Sequence, residues 1–179
     1  MRTRYKFLDI QNQTYFVTLT VVGKIPIFTN PKYFDIIIEN FNYYRKTQGL
    51  KIYHYVIMDN HIHLIVSHPD NISQVLRKSK SYTAKMIIDA IKKDEREWIL
   101  FLLKYFKKEY KQYSTYQLWE EGSHPQIIES VKVLQQKIEY IHNNPVKRGL
   151  VRRPEDWVYS SAGNVEELES VFKVDELEF

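Results

Sequence analysis

Two imidazoles two residues apart, His61 and His63, stand in the run from Tyr53 to Val66, which is otherwise apolar apart from His54 and the pair Asp59-Asn60. In an extended strand, residues i and i+2 point to the same face. The spacing therefore predicts that His61 and His63 project side by side while Ile62, Leu64 and Val66 bury the opposite face. That arrangement offers two neutral imidazoles, the commonest protein metal ligands, to one ion. A His-x-His pair alone equally suits an incidental surface or core pair. A second cluster adds to it: in the run Tyr140-Ile141-His142-Asn143-Asn144-Pro145-Val146-Lys147, a tyrosine and an asparagine lie four residues apart. That separation stacks them on one helix face, with Pro145 placing Asn144 at the helix end. Tyrosine has an unperturbed pKa of about 10, so it becomes a useful nucleophile when its proton can leave during attack.

These side chains need elements to hold them. Residues 14–22 are β-branched and aromatic and stop at Gly23, which predicts a first strand. Phe34, Ile37, Ile38, Phe41 and Tyr44 recur at helical spacing, so residues 31–48 form an amphipathic helix closed by Gly49. Strands over 51–58 and 61–67 follow, joined by the polar pair Asp59-Asn60, so the histidines sit just after a hairpin turn. Ser73 introduces a helix to about Lys93, helical character continues over 96–111, and residues 112–119 suit a fourth strand. A last helix runs from about Gln126 to Asn143 with Ile127, Val131, Leu134, Ile138 and Ile141 as its core stripe. Val133, Gln136, Lys137, Tyr140 and Asn144 fall on an adjacent, more polar face, so core packing accounts poorly for Tyr140. Strand-helix-strand-strand-helix-strand order predicts an α/β (α+β) domain, an antiparallel sheet of four to five strands with helices packed against it.

At 179 residues and 44% hydrophobic content the chain suits one domain, residues 1–164, followed by an acidic tail over 165–179. The formal charge of +4 understates the basicity, because six acids and one lysine in the tail leave +9 on residues 1–164. With fourteen tyrosines and nine phenylalanines, such a body fits a nucleic-acid partner. Arg77, Lys78, Lys80, Lys85, Lys147, Arg148, Arg152 and Arg153 are the candidate phosphate contacts. His54, His124 and His142 suit half-buried, loop or helix-surface roles, and Trp119 and Trp157 suit packing. There is no cysteine, which excludes disulfides and thiolate chemistry. No signal-like segment follows residues 1–4 and no apolar run is long enough to span a bilayer, so a soluble cytoplasmic protein is expected.

The chain resembles the single-tyrosine HUH transposases, and among them the REP-associated tyrosine transposases of bacteria. The resemblance rests on the segment Met58 to Ile65, on Leu118-Trp119-Glu120-Glu121-Gly122, on Tyr140 to Lys147 and on Pro154 to Ala162, in the family's order. It implies a ferredoxin-like domain in which His61, His63 and Asn144 hold Mg²⁺ or Mn²⁺ and Tyr140 attacks single-stranded hairpin DNA. It also implies a 5′-phosphotyrosine link, a free 3′-hydroxyl, and a monomer or homodimer. The rival expectations are a domesticated DNA-binding protein of the same fold that does not cleave, and a metal enzyme for small molecules that explains neither Tyr140 nor the basic body.

Overall fold

Strand-forming residues, helix caps and turn residues assemble into a four-stranded antiparallel sheet with helices on both faces. The computed structural model describes residues 13–166, 168 and 170–177; residues 1–4 and the tail acids Glu167, Glu169 and Glu178 lie outside that set. The chain runs through β1 (Tyr15–Thr20), α1 (Pro31–Gln48), β2 (Lys51–Ile57), β3 (His61–Ser67), α2 (Ile72–Lys93), α3 (Glu97–Tyr105), β4 (Gln126–Ile127) and α4 (Val131–His142). The short turns α5 (Asn144–Lys147) and α6 (Ala162–Val165) follow. Sheet order is β2-β3-β1-β4, the ferredoxin-like arrangement. The hairpin of β2 and β3 forms as expected, because Asp59-Asn60 turns the chain and both flanking runs alternate into a core.

Local signals set the helix ends. Asn30 accepts from Lys32 N at 3.2 Å, Pro31 opens α1, and Gly49 at φ 71° ends it. The cap of α2 is Asn71, which accepts from Gln74 N at 2.8 Å, two residues ahead of the expected role of Ser73. On α4 the cap is Ser130, so the helix begins at Val131 rather than Gln126.

The difference at Gln126 belongs to the sheet. Gln126 and Ile127 pair with Phe16 and Tyr15 of β1, and the preceding chain also tracks the β1 edge through Val22 N to Leu118 O, Glu120 N to Thr20 O and Thr18 N to Ser123 O. The fourth strand is therefore β4, not residues 112–119, of which Trp119 alone makes an isolated bridge, with Val21. Residues 112–115 are exposed, so their β-forming side chains have no core to enter, and burial decides over propensity.

Each face of the sheet has its own core. Tyr15, Val17 and Leu19 of β1 and Ile62, Leu64 and Val66 of β3 join the buried side chains of α1, α2 and α3. Phe16, Val56, Met58 and Ile65 pack on the other face against Leu134 and Ile141 of α4. A register shift between Ile52 and His54 lets Ile52 and Tyr55 enter the same core despite their odd separation. Thus α4 packs on the face toward which the even-numbered β1 residues and the odd-numbered β3 residues point, opposite α1, α2 and α3.

Phe172 and Asp175 of the acidic stretch are part of this packing. Phe172 is buried with ring centroids 5.6 Å from both Phe41 and Tyr55, and the Arg45 guanidinium sits 4.2 Å over its ring. Asp175 N donates to Ile52 O at 2.8 Å, the Asp175 carboxylate accepts from Ile52 N at 2.9 Å, and Arg45 and Lys51 pair with that carboxylate. The segment thereby covers the free edge of β2, where unpaired backbone groups would otherwise invite another strand. Phe172→Ala is expected to destabilise the fold by about 3–5 kcal/mol through loss of a buried ring. Urea denaturation checks this, and a midpoint within error of the wild type would show that the segment is peripheral.

Candidate active site

The β3 pairing places both histidines where α4 can reach them. His63 lies opposite Thr18 and His61 opposite Thr20 across the β1–β3 ladder. Their ring centroids are 4.7 Å apart. The Tyr140 ring stands edge-on to His63 with centroids 5.0 Å apart, and edge-on to Phe16 at 6.0 Å. Tyr140 remains 42% exposed while His63 is only 5% exposed, so the tyrosine meets solvent beside a nearly buried imidazole. Asn144, at the start of α5, interacts through its side chain with His61. His61, His63, Tyr140 and Asn144 therefore come together.

Each imidazole is oriented by a hydrogen bond at Nδ1. Thr18 Oγ1 and His63 Nδ1 are 2.9 Å apart, and His61 Nδ1 lies 2.7 Å from Asn60 Oδ1. His63 Nε2 is buried and has no hydrogen-bond partner among the described residues. Burial lowers the pKa of His63 to about 3, helped by His61 and Lys137. Burial also lowers that of His61, with Arg148 and Lys24 in the same direction and Asp59 and Asn144 opposing. Both rings are neutral at pH 7, the form that can donate a lone pair to a cation. Among the described residues no group of three His, Cys, Asp or Glu could hold a metal; the polar groups gathered here are two imidazoles and the Asn144 amide.

Three contributors were not legible as site residues, and a fourth, Lys137, was legible only as a neighbour of Tyr140 on its helix face. Phe16 and Thr18 reach the histidines only through the β1–β3 register, and Asn60 reads as an ordinary turn residue. Lys137, whose ammonium sits 4.5 Å over the Phe16 ring, lies one helical turn before Tyr140, so its i−3 spacing was the available signal.

The predicted basic residues divide. Lys147 Nζ lies 5.7 Å over the Tyr140 ring, and Arg148 bridges to Asp59 at 3.0 Å in the turn before His61. Arg152 is exposed, and Arg153 pairs with Glu155 and Asp156. Arg77, Lys78 and Lys85 are exposed on α2, which packs on the sheet face opposite α4. Lys80 donates to Glu120 O at 2.8 Å and Gly122 O at 2.5 Å, tying α2 to the chain beside β1. Arg77, Lys80, Lys111 and His124 line an open cleft of about 890 Å³ there. Trp119 is buried, stacked 6.0 Å from Phe28 and donating to Thr83 Oγ1 at 3.1 Å.

A family model described as "Transposase IS200 like" matches residues 10–111, more than half of the chain. The chain belongs to the IS200-like transposase family. The segment matched to the IS200-like transposases holds the sheet hairpin and both histidines, while Tyr140 and Asn144 lie beyond it. A "Putative REP-associated tyrosine transposase" of Haemophilus influenzae is 29% identical over 105 residues, 59% of this chain. The chain spans about half the length of that curated relative, 54%. Among solved structures, a REP-associated tyrosine transposase bound to a REP hairpin superposes with a TM-score of 0.69 at 18% identity, over 99% of this chain and 94% of the other. That likeness shows a shared fold. No helix among the described residues is long and apolar enough to cross a membrane.

A second histidine pair backs α4. The rings of His54 and His142 lie 5.3 Å apart, His142 Nε2 is 3.0 Å from Ser161 Oγ, and His54 Nδ1 is buried without a partner among the described residues. Burial lowers both to about 4, and His142 adds to the effect on His54. An unfolded chain takes up these protons near pH 6.5. Between pH 6.5 and 4 the unfolded state therefore binds more protons, and stability is lost as pH falls, by about 3 kcal/mol per ring at most. Urea midpoints are expected to drop between pH 7 and pH 5, with a shallower drop in His54→Asn. An unchanged slope in that variant would assign the acid sensitivity elsewhere.

Proposed function

We propose that this member of the family nicks and rejoins single-stranded hairpin DNA, with Tyr140 as the nucleophile. The observation that carries the reading is the half-open Tyr140 ring set edge-on against His63, itself two residues along β3 from His61 on the same face. Tyr140 Oη attacks the phosphorus of one phosphodiester, a bond from tyrosine oxygen to phosphorus forms, and the bond from phosphorus to the 3′ oxygen breaks. The tyrosine proton leaves to solvent and the departing 3′ oxygen ends as a hydroxyl. The 5′-phosphotyrosine link conserves the bond energy, so attack by a 3′-hydroxyl on the same phosphorus rejoins DNA without ATP.

The site chemistry fits Mg²⁺ or Mn²⁺. His63 Nε2 is buried without a partner among the described residues, and both rings make their other contacts at Nδ1, which leaves the two Nε2 nitrogens as the candidate ligand atoms. His61, His63 and Asn144 would hold the ion, which when bound neutralises charge on a nonbridging phosphate oxygen and orients the phosphorus for in-line displacement. None of these three side chains is anionic, so negative charge at a bound ion would have to come from the DNA phosphate. Lys147 and Lys137, beside Tyr140, would steady the flanking phosphates. Arg152 and the exposed α2 cations Arg77, Lys78 and Lys85 would hold strand further away. The setting is cytoplasmic, as a monomer or homodimer.

The deciding experiment is incubation with a pool of labelled single-stranded hairpins and Mn²⁺, followed by denaturing electrophoresis and mapping of the adduct. A protein–DNA adduct at Tyr140 is the expected result. Hairpin binding with no adduct under any metal condition would overturn the cleavage reading in favour of a non-cleaving DNA-binding protein.

A further inference from the structure

We infer that Asn60 is a positioning residue that holds His61 in the Nδ1–H tautomer, and that the left-handed turn at Gly23-Lys24 in turn holds Asn60; the value of that tautomer to the enzyme rests on the metal reading above. Asn60 is buried at the β2–β3 turn with both ends of its carboxamide engaged. Its Nδ2 donates to Lys24 O at 3.1 Å and its Oδ1 lies 2.7 Å from His61 Nδ1. A backbone carbonyl can only accept. Flipping the amide would set Asn60 Oδ1 against Lys24 O and Nδ2 against His61, so the Lys24 contact dictates that the end facing His61 is an acceptor. His61 Nδ1 must then carry the proton, and Nε2 is the unprotonated nitrogen. Free histidine in water favours the opposite tautomer. The Thr18 hydroxyl beside His63 can donate or accept and therefore imposes no such choice.

The direction of the Lys24 carbonyl has its own cause. Gly23 and Lys24 adopt φ 60° and 53°, two consecutive left-handed residues that turn the chain after Val22. A Cβ on Gly23 would lie 2.5 Å from the Phe106 ring, which follows α3 and seats on the glycine. Val21 N also donates to Asn60 O at 2.9 Å, pinning the backbone on the same side. The chain of contacts thus runs from Phe106 through Gly23 and Lys24 to Asn60 and His61.

Long-range ¹H–¹⁵N correlation spectra of the metal-free full chain at pH 8 read the tautomer directly. The wild type is expected to show His61 with a protonated Nδ1 and an unprotonated Nε2. In Asn60→Ala the majority form should become Nε2–H, whereas Asn60→Asp, which still accepts from Nδ1, should keep the wild-type pattern. Mn²⁺ titration followed by water-proton relaxation should show affinity about 10–100-fold weaker in Asn60→Ala. A wild-type His61 protonated at Nε2 would overturn the inference without any variant, and so would an unchanged tautomer in folded Asn60→Ala. The expected tautomer shift in a protein whose wild type binds no Mn²⁺ would support Asn60 as a positioning residue and overturn the metal reading alone.

Discussion

Tyr140→Phe is expected to lower cleavage by roughly 10⁴-fold or more and to eliminate the covalent DNA adduct, while the protein stays folded and keeps most of its hairpin affinity. The ring contacts with His63 and Phe16 survive the change, since both are made by the ring rather than the hydroxyl. With 42% of the residue exposed, loss of the hydroxyl costs little packing. On the proposed reading DNA affinity is spread over phosphate contacts from several cations, so one phenol would be a small share of it. Gel shift and denaturing electrophoresis on a hairpin that the wild type nicks separate the two quantities. Undiminished nicking would mean that water or another tyrosine attacks, and the exposed Tyr113 and the half-buried Tyr116 would be the next to test.

The next largest effect is expected at the histidines. His61→Ala and His63→Ala should each reduce Mn²⁺-supported cleavage by about 10³-fold, because a divalent cation at the phosphate is worth several kcal/mol of charge stabilisation. Hairpin affinity measured without metal should change far less. The two variants differ physically: His63 is buried between Phe16 and Tyr140, so its removal also loosens the nucleophile, whereas His61 is the cleaner probe of the metal. Thermal melts establish that each variant is folded. If a folded His61→Ala lost binding and nicking in equal measure, the pair would have a structural role instead.

Much of the fold was legible because its signals are local. The run before Gly23 and the period of Phe34, Ile37, Ile38, Phe41 and Tyr44 gave β1 and α1 nearly to the residue. The polar Asp59-Asn60 turn likewise gave the β2–β3 hairpin and the shared face of His61 and His63. Residues 112–119 misled because β propensity is realised only where a face is buried, and Tyr113 meets solvent. The helix ahead of Val131 misled for the converse reason, since Gln126 and Ile127 carry no strong strand pattern yet complete the β1 edge. The acidic composition of the C-terminal stretch concealed Phe172 and Asp175, whose partners Phe41, Tyr55, Arg45 and Ile52 lie more than 100 residues earlier.

For the candidate site, sequence alone determined the chemical inventory: two imidazoles on one strand face, and a tyrosine and an asparagine one helical turn apart. Periodicity of 2.0 and 3.6 residues is a property of the backbone and can be read without partners. It could not decide that α4 packs on the sheet face carrying His61 and His63, away from α1 and α2, because face choice depends on which of two buried surfaces each helix completes. Nor could it supply the β1–β3 register that brings Thr18 to His63, or the carbonyl of Lys24 that orients Asn60 toward His61. Those are contacts between segments distant in the chain, settled when the whole hydrophobic surface finds its lowest-energy packing.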